Sequence, residues 1–181
     1  MLSKTQVLNR KPMVRRPFYH LNAAMRACAA WAAIEEHDKI LDMACEDGAL
    51  LGKMGENCRL NRCGLCDSPE KARIAREVLQ DADVIPGRMD DIPWRDSTFD
   101  IVMLPAPIKG DARRVMEEAF RVLRGGGQMT VASPVLEILQ ENELNRREMM
   151  RLMQEAGFKE VSFRASGLYG VISGWKRREM I

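Results

Sequence analysis

The 181-residue chain predicts an α/β domain: a doubly wound, mostly parallel sheet with helices on both faces and a terminal antiparallel strand. Two observations carry this. Short apolar runs alternate with amphipathic stretches at the spacing of strand–helix–strand units. The last two apolar runs are joined by a tight connection around Ser166-Gly167, which makes them antiparallel neighbours. The length suits one domain with a sizeable core, and no repeat, low-complexity segment or linker divides it. Residues 1–19 are expected to form a basic N-terminal segment and residues 20–181 a single domain.

In chain order, Leu21, Ala24, Met25, Cys28, Trp31 and Ala32 recur at helical spacing and predict an amphipathic helix from 20 to about 36. Lys39 to Ala44 is too brief for a helix and suits a buried parallel strand; a glycine-bearing loop and a helix from Gly48 to about Gly55 follow. Arg62 to Cys66 reads as the second strand. Asp67-Ser68-Pro69 then places a capping residue before a proline at the first helical position, opening a helix to about Leu79. Ala82 to Ile85 and Phe99 to Leu104 are the third and fourth strands. Between Asp111 and Leu123, Ala112, Val115, Met116, Ala119, Phe120 and Leu123 share one helical face, and Gly125-Gly126-Gly127 is expected to end that helix. Gln128 to Ser133 reads as the fifth strand, Asn142 as the opening of a helix that Gly157 stops, and Phe158 to Arg164 and Tyr169 to Trp175 as the last two strands. Met149, Met150 and Met153 are most simply core packing.

Composition excludes several classes. Hydrophobic residues make up 46% and charged residues 30%, and no apolar run approaches the roughly 18 residues a membrane span needs. Basic residues before position 17 are not followed by an apolar stretch of the secretory kind. Five cysteines at irregular spacing argue against a disulfide framework and for the cytoplasm. The Cys63/Cys66 pair on a strand points to opposite faces, so no metal site is expected. A net charge of +2 does not call for a polyanionic partner; the clusters before residue 17 and at Lys176, Arg177 and Arg178 read as solvated termini, which makes nucleic acid an unexpected ligand.

In an open parallel sheet, ligands gather at the carboxyl ends of the strands. There the stretch ILDMACEDGALL (Ile40 to Leu51) resembles the first motif of the class I S-adenosylmethionine-dependent methyltransferases, with Asp42 and Gly48 matching and Ala44 and Glu46 standing where that family usually has glycine. Cys63 to Glu70 is similar to the family's second strand and its acidic end residue, here Asp67. Gly87-Arg88-Met89-Asp90-Asp91-Ile92-Pro93-Trp94 and Ser97 to Val102 resemble the adenine-contacting loop and fourth strand of the small-molecule, type 11-like branch. Glu118 to Gly127 and Met153 to Phe158 continue the likeness, which spans Leu21 to Lys176 in order.

The resemblance implies a Rossmann-like fold, S-adenosylmethionine as cofactor, transfer of its methyl group to a small-molecule acceptor, and cofactor contacts at Asp42, Ala44, Glu46, Gly48, Asp67, Ser68, Met89, Asp90 and Leu104. Asp67 would accept from the ribose hydroxyls. Glu46 either repels the carboxylate of the cofactor's methionine or pairs with its ammonium or sulfonium. Arg88 stands where an acidic residue commonly accepts from adenine; it either stacks on the base or turns to solvent, leaving the contact to the Met89 amide or to Asp90. Leu104-Pro105-Ala106-Pro107 lacks the acidic or amide residue of exocyclic-amine methylating members. His37 reads as a solvated residue, whereas His20 lies in a segment that often covers the active site and is a candidate general base. A binding or scaffold protein whose cofactor site has decayed and an RNA methyltransferase are the rival readings, and a homodimer is left open.

Overall fold

A computed structural model describes residues 28–29, 31–105, 107–134, 145–166 and 169–178. Seven strands form one sheet: β1 (Lys39–Asp42), β2 (Asn61–Cys66), β3 (Asp83–Pro86), β4 (Phe99–Leu104), β5 (Leu123–Pro134), β6 (Lys159–Ser166) and β7 (Tyr169–Trp175). Their order is β3-β2-β1-β4-β5-β7-β6. β7 runs antiparallel to both its neighbours, and the β1, β2, β3, β4 and β5 pairings are parallel. Among the described residues, four helices connect them: α1 (Ala49–Asn57), α2 (Pro69–Val78), α3 (Ala112–Val122) and α4 (Arg146–Ala156).

Strand alternation divides the core between the two faces. Leu41, Leu65 and Val102 pack with Val115 and Met116 of α3 and Met153 of α4. Ile40, Cys66 and Ile101 pack on the other face with Leu51 of α1 and Ala72 and Ala75 of α2. Cys63 belongs to the first layer and Cys66 to the second, as the odd spacing requires. Every residue of β4 is buried, because β1 and β5 flank it and helices cover both its faces. Among the described residues no helix is long and apolar enough to cross a membrane.

Several boundaries differ from those expected. The helix expected from 20 to about 36 is helical at Cys28, Ala29 and Trp31, and the chain leaves helical geometry after Trp31. The side chain of Gln128 on β5 takes over the backbone there: its Oε1 accepts from the Ala33 amide at 2.8 Å and its Nε2 donates to the Trp31 carbonyl at 3.4 Å. The three glycines do not end α3, which stops at Val122; they lie inside β5, which begins at Leu123. The helix end is held instead by Lys176, whose Nζ donates to the carbonyls of Phe120 at 2.8 Å and Leu123 at 2.7 Å. Lys176 is therefore a cap and not part of a solvated terminal cluster. Gly126 takes a φ of 91°, and the edge at Gly126 and Gly127 exchanges backbone hydrogen bonds with Lys176. The observed N-cap of α4 is Asn145, which accepts from the Glu148 amide at 2.9 Å; Asn142, His20 and the basic residues before position 17 lie outside the described residues.

Candidate functional site

The sheet changes direction of winding at β1, whose neighbours are β2 on one side and β4 on the other. The loops after these strands diverge there and leave a crevice. It is a cleft of about 610 Å³, including its open mouth, walled by the loops after β1, β2, β3 and β4. Ala44, Glu46, Asp67, Met89 and Asp90, expected to meet a cofactor, all line it, together with Arg88, Lys109 and Gly110.

The β1–α1 loop is stitched to the strands on both sides. The Met43 amide donates to the Met103 carbonyl of β4 at 2.9 Å, and the Cys45 amide to the Leu65 carbonyl of β2 at 3.0 Å. Two left-handed residues turn the chain into α1: Glu46 at φ 47° and Gly48 at φ 79°. A left-handed φ costs a non-glycine residue about 1 kcal/mol, so Glu46 occupies a glycine conformation. A Cβ at Gly48 would come within 2.7 Å of Leu79 Cδ1, so contact with the end of α2 also requires glycine there.

Asp42, Gly48, Ser68 and Leu104 were expected beside the cofactor but are not among the residues lining the cleft. Ser68 is the N-cap of α2, its Oγ accepting from the Lys71 amide at 3.3 Å. Leu104 is fully buried in the first core layer. Asp42 is fully buried behind the loop; its Oδ1 accepts from the Ala44 amide at 2.9 Å, while Oδ2 has no hydrogen-bond partner. Burial pushes its carboxyl up to about 7, the Ala44 amide opposes this, and Glu46 and Asp47 add to the rise.

The charges of the cleft are paired within the chain. Lys71, one turn into α2, bridges Glu46 Oε2 at 2.6 Å and Asp67 Oδ1 at 2.9 Å. Lys109, from the loop after β4, reaches across the cleft to Asp67 Oδ2. Partial burial would raise the Asp67 carboxyl, but the hydrogen bonds from Lys109 and Lys71 outweigh it and hold the group below its ordinary value. Arg88 turns to solvent, its side chain 74% exposed, and is paired there. Its Nε and Nη2 grip the two oxygens of Asp90 at 2.8 and 2.7 Å, while the Asp111 amide donates to Oδ2 at 3.3 Å. The guanidinium holds the Asp90 carboxyl down to about 2.

The Glu118 to Arg124 stretch contributes from a distance. Glu118 Oε2 accepts from the Ile92 amide at 2.7 Å, and Arg121 donates to the Trp94 carbonyl at 2.8 Å and the Ile92 carbonyl at 2.9 Å. These bonds pin the loop after β3, and with it Met89 and Asp90, onto α3. Sequence reasoning missed Lys71 and Lys109. The i,i+4 spacing of Asp67 and Lys71 was visible, but the contact with Glu46 and the reach of Lys109 are long-range.

A family model described as a methyltransferase domain matches residues 41–131. The chain belongs to the methyltransferase-domain family. The matched stretch of the methyltransferase domain takes in every residue lining the cleft. Among curated relatives, it is 32% identical over 103 residues to an uncharacterized methyltransferase of Schizosaccharomyces pombe, covering 52% of this chain and 39% of that protein. It is 30% identical over 108 residues to the demethylmenaquinone methyltransferase of Thermotoga maritima, covering 58% of this chain and 45% of that one. The matches thus span less than half the length of these two relatives. A crystal structure of a SAM-dependent methyltransferase from Thermotoga maritima shares the fold, with a TM-score of 0.70 at 21% identity over 87% of this chain and 89% of that one.

Proposed function

We propose that this methyltransferase domain binds S-adenosylmethionine in the cleft after β1, β2 and β3 and passes its methyl group to a small-molecule acceptor. The observation that carries the reading is the meeting of Ala44, Glu46, Asp67, Met89 and Asp90 around one solvent-open cleft at the switch point of the sheet. The donor set suits such a ligand. Asp67 offers carboxylate oxygens to ribose hydroxyls, and Leu65 and Met89 offer apolar wall to a flat base.

When bound, the cofactor supplies an electrophilic methyl group on a sulfonium. The chain's own residues need only align the acceptor, exclude water and hold the nucleoside, so no dedicated nucleophile is required. The Glu118–Arg121 bonds to the loop after β3 serve alignment by keeping Met89 and Asp90 fixed. The Thermotoga maritima relative is named for demethylmenaquinone, which puts quinols and small phenols first among acceptors.

A second reading, a binding protein of this fold with a decayed cofactor site, is favoured by one observation: both oxygens of Asp67 are taken by lysines and both oxygens of Asp90 by Arg88. Calorimetric titration with S-adenosylmethionine and S-adenosylhomocysteine separates the two, followed by transfer of labelled methyl groups to a panel of quinols, phenols and amines. Micromolar binding with transfer supports the enzyme. A chain that binds neither ligand at millimolar concentration leaves the binding-protein reading.

A further inference from the structure

We propose that Lys71 is a positioning residue of the cofactor site, holding the Glu46 carboxylate against α2 so that the β1–α1 turn can receive the amino-acid end of the cofactor. The inference rests on the reading above that the cleft takes S-adenosylmethionine. Glu46 sits at φ 47°, where the backbone conformation is one glycine adopts freely. Its side chain is directed to one partner: the Lys71 ammonium at 2.6 Å, which also meets Asp67 Oδ1 at 2.9 Å. The Glu46 carbonyl is held from the same side, accepting from the Cys66 thiol at 3.7 Å. Lys71 itself is fixed at the start of α2, where its amide donates to the Ser68 cap. Backbone and side chain of the turn are thus both tied to the β2–α2 connection. The Glu46 and Lys71 side chains are 21% and 35% exposed, so solvent screens the pair only in part. Without the ammonium, Glu46 would stand in the turn as an unpaired carboxylate facing the cofactor's own carboxylate.

Titrating wild type, Lys71→Met, Lys71→Arg, Glu46→Gly and the double variant Glu46→Gly/Lys71→Met with two ligands tests this. S-adenosylhomocysteine carries the amino-acid end; 5′-methylthioadenosine keeps the nucleoside and lacks it. Lys71→Met is expected to weaken S-adenosylhomocysteine by about tenfold and 5′-methylthioadenosine by less than about threefold. Lys71→Arg, which keeps the charge, should stay within about threefold of wild type, and Glu46→Gly in the Lys71→Met background should restore S-adenosylhomocysteine to about the same range. Thermal melts confirm folding, with Lys71→Gln replacing Lys71→Met if the latter fails. Equal losses for both ligands, tighter binding by Lys71→Met, or no rescue by Glu46→Gly overturns the assignment while leaving the cofactor reading intact. A wild type that binds neither ligand overturns both.

Discussion

Gly110 lies directly over the carboxylate of Asp90: a Cβ at Gly110 would stand 2.5 Å from Asp90 Oδ2, and its φ is +98°. Arg88 holds both oxygens of that carboxylate, so it cannot swing aside without losing the ion pair. Gly110→Ala therefore combines a clash with a left-handed backbone. It should lower stability by about 1–3 kcal/mol in urea unfolding and weaken cofactor binding. An unchanged midpoint would show that the loop after β4 relaxes freely.

Asp42 should give the domain a distinctive pH dependence. Its carboxyl is pushed up to about 7, against 3.8 ordinarily, so between those values the folded chain holds a proton the unfolded chain has released. This contribution is full below about pH 4 and is lost as pH rises through about 7. The loss is at most on the order of 4 kcal/mol. Asp42→Asn cannot ionise, so denaturant unfolding at pH 4 to 8 should show a smaller fall with rising pH in this variant than in wild type. Parallel curves would refute the assignment.

Removing Asp67 and removing its partner Lys109 should act in opposite directions. Asp67→Ala is expected to weaken S-adenosylmethionine by about 1.5–3 kcal/mol through loss of the proposed ribose contact. Lys109→Ala frees Asp67 Oδ2, and an ion pair between partly exposed groups is worth at most about 1 kcal/mol. The variant should tighten binding by no more than about fivefold. Weaker binding in calorimetry would make Lys109 a ligand contact instead of a competitor.

Lys176→Met removes the ammonium that lies over the Phe120 ring and donates to the Phe120 and Leu123 carbonyls. The end of α3 then loses its cap, and stability should fall by about 1–3 kcal/mol with no direct effect on cofactor binding. Urea unfolding alongside calorimetry would distinguish this from a change at the cleft.

Much of this protein was legible from residue order alone, wherever the cause is local. The apolar run Phe99–Leu104 became a strand with the boundaries read from it, Ser68 caps the helix it precedes, and Gly157 stops α4 at φ 111°. Strand–helix alternation dictated the doubly wound sheet, because parallel neighbours need crossovers and the helices must cover both faces. What only the tertiary structure decided are contacts between residues far apart in the chain. Lys176 replaces three glycines as the stop of α3, Gln128 ends the helix at Trp31, and Lys71, Lys109 and Arg88 neutralise the carboxylates of the cleft. Charge pairing depends on separation in space, which is set only after the sheet has brought the loops after β1, β2, β3 and β4 to one edge.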